Sequence, residues 1–289
     1  MIAFIQAWFC TMRSMVLIAL VALVLCDEGL ARLLDEKCES QEEFGGTSER
    51  PLGTSWMASV YNETGHHCGG SLITKRFVLT AAHCIEGQDL LYVHLGEYDR
   101  SCPPWKCMGE VDPFNVSVAI VHGHFSFDHG QYDIGLLRLE REVQFNVFIR
   151  PICIILDDPV NSAAVNEYWV YGWGMLRAFG KKSNILQAIK LYQRELKDCR
   201  YTIMPLTDRQ ICAGATIGDT CGGDSGGPLA AYFTYQGIKR FVQFGIVSYG
   251  RNFCNSNGVY TNVMSYQKWI ADTISRYEDK NTLLNIRFN

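Results

Sequence analysis

The chain has 289 residues, 48% of them hydrophobic, and a formal net charge of −4 at neutral pH. That length accommodates one large domain or two modest ones, and it buries enough apolar surface to fold without relying on covalent staples alone. A slightly acidic balance with no basic run argues against a nucleic-acid partner, since phosphate recognition needs a basic face.

In chain order, the first element is Met12–Cys26, "MRSMVLIALVALVLC", in which one arginine precedes an apolar run. This is the shape of a secretory signal peptide. "GLA" at 29–31 offers small residues for cleavage, and a cut after Cys26 is the alternative. The run after Arg13 is about 12 residues, short of the ~20 that a spanning helix needs, so no stable membrane anchor is expected, although residues 1–11 are also apolar. The expected location is secreted and extracellular. Residues 32–43 are short, polar and acidic, and too few residues precede position 44 for a regulatory domain to be expected there. From Gly45 the pattern is β. Runs such as "SLITKRFVLTAA", "LLYVHLG", "YWVYGWG" and "FVQFGIVSYG" are rich in Val, Ile, Leu and aromatics and are punctuated by Gly or Asn, which predicts an all-β sandwich or barrel. The spacing of Tyr266, Trp269, Ile270, Ile274 and Tyr277 predicts one helix over Met264–Glu278. The expected division is a signal peptide over 1–31, a short segment over 32–43, one functional domain over 44–278 and a tail over 279–289.

Of twelve cysteines, Cys10 and Cys26 fall in the leader. The remaining even number suggests a disulfide framework in an oxidising compartment. The sequons at Asn62 ("NET") and Asn115 ("NVS") agree with secretion and are candidate glycosylation sites.

Three segments carry chemistry together: "LTAAHC" with His83, "YDIGLLRL" with Asp133 and "GDTCGGDSGGPL" with Ser225. A serine hydroxyl is a weak nucleophile at neutral pH. It needs a base to take its proton, and the base needs a buried carboxylate that fixes its tautomer and stabilises the imidazolium. "HCGGSLI", "VLTAAHC", "DIGLLRL", "YGWG", "GDSGGP", "VSYG" and "GVYTNV" follow one another in an order that resembles the trypsin/chymotrypsin family of serine proteases, and its secreted insect-type members in particular. The resemblance spans nearly the whole chain from Gly45.

It implies two packed six-stranded antiparallel β-barrels with a C-terminal helix, and a secreted serine endopeptidase that cleaves after Arg or Lys. Ser225 would be the nucleophile, His83 the general base and acid, and Asp133 the residue that orients His83. The N–H groups of Gly223 and Ser225 would form the oxyanion hole, and Ser248 would support the buried aspartate. Asp219 would lie at the base of the specificity pocket, where a carboxylate pairs with a basic side chain, and Gly250 and Gly258 would leave the pocket walls open. The implied disulfides are Cys38–Cys153, Cys68–Cys84, Cys199–Cys212 and Cys221–Cys254, which leaves Cys102–Cys107 to close a local loop. One further family bridge is replaced by Tyr168 and Ala231, both together. No cofactor or metal is expected. "HGH" (His122, His124) with His129 has no ligands at regular spacing beside it, and the loop after Gly96-Glu97 is remade with prolines and cysteines, so calcium is not carried over. The expected partners are protein substrates and protein protease inhibitors, and the expected state is a monomer.

The resemblance breaks at "EEFGG", residues 42–46. Family members are activated by a cut after Arg or Lys before an Ile-Val-Gly-Gly-like sequence, and the new ammonium pairs with the aspartate before the nucleophile, here Asp224. Glu42 stands where the cleavable Arg should be, Glu43 where Ile is usual and Phe44 where Val is usual. A Glu43 carboxylate brought near Asp224 would be costly in low dielectric. Three readings follow: a protease with unusual activation, a locked homologue that works by binding in a protease cascade, or a sequence whose activation segment is altered by a gene-model or splicing error. The intact triad and Asp219 favour the first.

Overall fold

The computed structural model describes residues 32–38, 54–102, 111–128, 130–156, 165–175, 180–199, 205–215, 224–250 and 257–278. The strands are β1 (Met57–Asn62), β2 (Gly65–Leu72), β3 (Phe77–Thr80), β4 (Tyr92–Leu95), β5 (Asp112–Val121), β6 (Gly135–Leu139), β7 (Glu167–Gly172), β8 (Gln187–Arg194), β9 (Gln210–Gly214), β10 (Pro228–Tyr235), β11 (Ile238–Tyr249) and β12 (Gly258–Asn262). They close into two antiparallel barrels, ordered β1-β2-β3-β6-β5-β4 and β10-β11-β12-β9-β8-β7. The run "SLITKRFVLTAA" divides between β2 and β3 around a turn with neither Gly nor Pro. Thr74 makes that turn by accepting the amides of Arg76 and Phe77 on its hydroxyl, at 3.2 and 3.1 Å.

The barrels meet on aromatic and polar contacts. Trp56, fully buried ahead of β1, stacks on Phe241 of β11 at 4.8 Å and meets Tyr171 of β7 edge-on at 6.0 Å. Beside them Ser71 donates to Gln243 Oε1 at 2.6 Å, so two buried polar side chains satisfy each other across the junction. The connecting segment is laced to both barrels: the Ile152 amide donates to the Leu72 carbonyl and the Gln243 amide to the Cys153 carbonyl. Cys153 also forms a disulfide with Cys38. The Leu34 amide donates to the Ile154 carbonyl, and Arg240 reaches the Cys38 carbonyl, so the short N-terminal segment packs along this connection. A cross-link over a separation of 115 residues removes about 5 kcal/mol of unfolded-state entropy on the chain-entropy view.

The C-terminal helix, α1 (Gln267–Glu278), starts later than the apolar spacing predicts. A 3-10 turn over Val263–Tyr266 precedes it, capped by Asn262 accepting the Met264 amide. Ile270 and Ile274 are buried and Trp269 and Tyr277 pack on the core, each buried isoleucine contributing roughly 1.5–3 kcal/mol. At the helix end the buried Arg138 donates to the Tyr277 carbonyl at 2.8 Å, which satisfies one of the terminal acceptors. The register of β7 against β10, continued by one step, brings Ala231 opposite Tyr168. Both are buried, and Tyr168 packs against Phe244 where the sequence lacks a bridge.

Candidate active site

His83 lies on a 3-10 turn, Ala82–Cys84, directly after β3. Ala81 and Ala82 are fully buried and small, so this turn sits close against the first barrel. The Cys68–Cys84 disulfide fastens it to β2. Asp133 precedes β6 and is only 3% exposed. Its neighbour Tyr132 adopts φ 56°, an uncommon conformation for a bulky residue, and is held by Arg209 donating to its hydroxyl and by stacking on His122 at 4.9 Å.

The Asp133 carboxylate accepts the His83 backbone amide on Oδ1 at 2.9 Å. Its Oδ2 accepts His83 Nδ1 at 2.8 Å and the Ser248 hydroxyl. The Asp133 backbone carbonyl takes the Thr261 hydroxyl at 2.8 Å. The oxygens of this deeply buried carboxylate are thus met by donors. With Nδ1 donating to Asp133, His83 presents Nε2 as a proton acceptor. The ring is about a quarter exposed, while its partner is sealed.

Ser225 is half-buried, on a turn that three backbone contacts fix. Gly69 donates to the Ser225 carbonyl at 2.8 Å, Gly226 donates to the Val247 carbonyl and Gly227 to the Asp224 carbonyl, both at 2.9 Å. Gly226 has φ 79°, and a Cβ there would lie 2.2 Å from Thr80 Oγ1 and 2.4 Å from the Gly69 carbonyl. The same Cβ would be 3.2 Å from Cys84 Sγ, so the serine turn packs on the residue next to His83. Among the described residues no hydrogen bond joins Ser225 Oγ to His83, a contact that commonly tightens only with substrate.

Asp224 points away from this turn into the second barrel. Its Oδ1 accepts the Gly174 amide at 2.7 Å. A Cβ on Gly172 or Gly174 would lie 2.0 or 2.4 Å from its oxygens, so only glycine fits on either side. Ser248 is the next-to-last residue of β11, and just beyond the strand a Cβ at Gly250 would lie 3.7 Å from Gly258 Cα, so the two glycine backbones are close neighbours. Asp219, Gly223, His129 and the segment Glu42–Gly46 lie outside the described residues, as do Cys107, Cys221 and Cys254 of two expected disulfides. Cys199 and Cys212 are bonded.

Asn62 ends β1 and donates to Gln88 at 2.8 Å, and Asn115 is exposed on β5 and donates to Glu140 at 2.9 Å. His122 and His124 lie in an aromatic cluster with Tyr132, Tyr266 and Trp269. Among the described residues one group has metal-ligand proximity, Cys68, His83 and Cys84, and its two sulfurs are bonded to each other and cannot act as thiolates.

Sequence reasoning missed three contributors. Thr261 belongs to the quoted "GVYTNV" but carried no role. Glu97 is turned inward, taking the Tyr61 hydroxyl at 2.9 and 3.1 Å and standing 3.5 Å from His94 Nδ1. Burial tends to raise its carboxyl, and the polar groups of His94, Ser59 and Tyr61 beside it outweigh that, leaving Glu97 below the usual range. Arg100 follows in the same loop, donating to the Ser183 and Trp173 carbonyls at 2.7 and 3.3 Å. Burial, with the charges of Arg100 and Lys182, pushes His66 down to about 3 and keeps it neutral.

The Trypsin family model matches residues 43–270. The chain is 35% identical to serine protease grass of Drosophila melanogaster, over 82% of this chain and 68% of that protein. It is 37% identical to CLIP domain-containing serine protease B10 of Anopheles gambiae, over 75% and 64%, and 35% identical to melanization protease 1 of Drosophila melanogaster, over 80% and 65%. The matched part thus amounts to about two thirds of each relative's length. Two closed six-stranded barrels, a helix after the last strand and these matches lead to one conclusion: the chain belongs to the trypsin family of serine proteases.

Proposed function

We propose that this protein is a secreted serine endopeptidase that cleaves protein substrates after Arg or Lys, with Ser225 as nucleophile, His83 as general base and acid, and Asp133 as its orienting carboxylate. The observation that carries this reading is the buried Asp133, which accepts both His83 Nδ1 and the His83 amide and so leaves Nε2 uncommitted to it. Ser225 would attack the scissile carbonyl, with its own N–H and that of Gly223 receiving the oxyanion. Gly250 and Gly258, as wall positions without side chains, and Asp219, at the base of the pocket, would admit a long basic side chain. The relatives include a melanization protease and CLIP domain-containing proteases, which supports a place in a proteolytic cascade acting on another protein.

The sequence at Glu42–Gly46 favours a second reading, a locked homologue that binds cascade partners without cutting them. A serine-directed phosphonate carrying an arginine-like side chain separates the two. It is applied to the secreted protein before and after limited proteolysis, with Ser225→Ala as control and N-terminal sequencing of any labelled species. The protease reading expects labelling that depends on Ser225. Folded protein that never labels would leave the binding reading.

A further inference from the structure

Asp133 must aim one carboxylate at two donors on the His83 turn, and its own backbone is placed by an unusual neighbour. Among the described residues only Tyr132 and Gln236 combine a side chain with a positive φ, 56° and 48°. Gln236 lies between β10 and β11, followed by Gly237 at φ 79°, where a tight hairpin requires that conformation. Tyr132 stands instead near the end of the long β5–β6 loop, directly before Asp133. A bulky residue in this region costs free energy and persists only where its surroundings hold it.

The backbone that follows is sharply bent. The Ile134 amide donates back to the Tyr132 carbonyl at 2.8 Å, a three-residue turn with Asp133 at its centre. The Asp133 carbonyl accepts the Thr261 hydroxyl at 2.8 Å, and the Ile134 carbonyl accepts the His122 amide at 3.2 Å. The direction in which Asp133 leaves this bend depends on the step that enters it, which is Tyr132.

The Tyr132 ring is what the rest of the molecule grips. It stacks on His122 at 4.9 Å, and His124 and Tyr266 meet it edge-on at 5.3 and 6.2 Å. Arg209, just ahead of β9 in the second barrel, lies over the ring at 5.1 Å and donates to the Tyr132 hydroxyl at 3.1 Å. The residues before Tyr132 are tied to the same barrel: Gln210 donates to the Gly130 carbonyl at 3.3 Å, and a Cβ on Gly130 would lie 2.6 Å from the Tyr249 ring. Burial, with the charges of His124 and Arg209, holds His122 below the ordinary histidine range, so a neutral ring lies against the tyrosine.

We propose that Tyr132 is a positioning residue for Asp133: its ring, held by His122 beside the first barrel and by Arg209 of the second, maintains a left-handed backbone step that turns the Asp133 carboxylate onto His83. The inference deepens the protease reading and rests on it for its kinetic test. It also ties the aim of that carboxylate to the seating of one barrel on the other.

The test uses the full secreted chain with three substitutions. Tyr132→Ala removes the ring and leaves a Cβ in the left-handed region. Tyr132→Asn also removes the ring but adopts that region more readily. Tyr132→Phe keeps the ring and loses only the bond from Arg209 to the hydroxyl. In Tyr132→Ala, kcat on an arginine substrate is expected to fall roughly 10- to 100-fold, the range expected when a reacting group is displaced by about an ångström, while KM moves much less. Tyr132→Phe should keep most of the rate, and Tyr132→Asn should recover part of what alanine loses. Arg209→Gln, at an exposed position, should fall between phenylalanine and alanine, and it carries both readouts should the Tyr132 variants not fold. The second readout needs no activity. With histidine isotopically labelled, the His83 Nδ1 proton, assigned by its loss in His83→Ala, is protected by its bond to Asp133. Its resonance should broaden and exchange faster with water in Tyr132→Ala, and less so in Tyr132→Asn. A wild type that turns over with kcat unaffected by Tyr132→Ala overturns the proposal. So does an unchanged Nδ1 proton in that variant, whether or not the wild type labels. Equal losses in Tyr132→Asn and Tyr132→Ala overturn it in favour of packing alone. A wild type that never labels, with the Nδ1 proton still perturbed in Tyr132→Ala, would sink the protease reading alone.

Discussion

Asp133 and Glu97 are both carboxylates turned into the first barrel's side of the molecule, and their surroundings differ in kind. Around Asp133 the donors are short in reach and fixed to rigid elements: a backbone amide and ring on a disulfide-pinned turn, and a hydroxyl at a strand end. Around Glu97 the partners are long or titratable, namely Tyr61, His94 and the nearby His66 and Arg100. There both His66 nitrogens and Arg100 Nη1 are buried without hydrogen bonds. The first arrangement fixes one side chain's geometry. The second holds charge in place by mutual field and leaves donors over. A site that must present one atom in one direction uses the former, and a support that must only keep a loop charged and anchored can use the latter.

The sharpest way to break the first arrangement is Asp133→Asn. If His83 works as proposed, the amide fixes the wrong tautomer and kcat on an arginine substrate should fall about 10⁴-fold while the melting temperature changes far less. A loss below tenfold would remove Asp133 from the mechanism. Ser248→Ala probes the same carboxylate more gently. Removing one of its donors should cost about 1–3 kcal/mol in denaturant unfolding, with kcat falling alongside. Unchanged stability would mean that water replaces the hydroxyl.

The second arrangement should announce itself through pH. Glu97 has a folded-state pKa below its ordinary value, so its stabilisation is complete above the unfolded carboxyl range and is lost as pH falls through the folded value. His66, pushed down to about 3, acts in the same direction: between the ordinary histidine range and pH 3 the unfolded chain binds the extra proton, so stability falls on acidification. Melting temperatures of wild type and His66→Phe, followed from pH 7 to pH 4, should therefore show a flatter slope for the variant. Parallel slopes would show that His66 titrates normally. As the smallest effect, the exposed Lys268–Asp272 pair on α1 gives a baseline outside both arrangements. Lys268→Ala should change stability by less than about 0.5 kcal/mol and lose even that in high salt.

How much of this was legible in the sequence follows from distance along the chain. The barrels and the helix announce themselves through β-rich runs and one helical stripe, and the chemistry-bearing residues through short words at element ends. The helix start moved because Asn262 caps a 3-10 turn first, a choice that apolar spacing does not encode. The β2–β3 turn was hidden because a threonine hydroxyl did what Gly or Pro would have signalled. Thr261 reaches Asp133 across 128 positions, and Arg100 reaches Trp173 and Ser183 across 73 and 83. Such pairs exist only after barrel closure. Glu97 illustrates the limit best: with calcium not carried over, its motif gave it no role, and only packing shows a tyrosine hydroxyl on its oxygens and a histidine beside them.

The disulfide between Cys38 and Cys153 has a consequence for how processing of this protein would be seen. Any backbone scission between positions 39 and 53 leaves the piece that carries Cys38 covalently attached to the body. On a non-reducing gel the nicked and intact molecules would run as one band, and only a reductant would release the small fragment. Mobility without reductant would then report an uncut protein, whichever way the switch had been thrown.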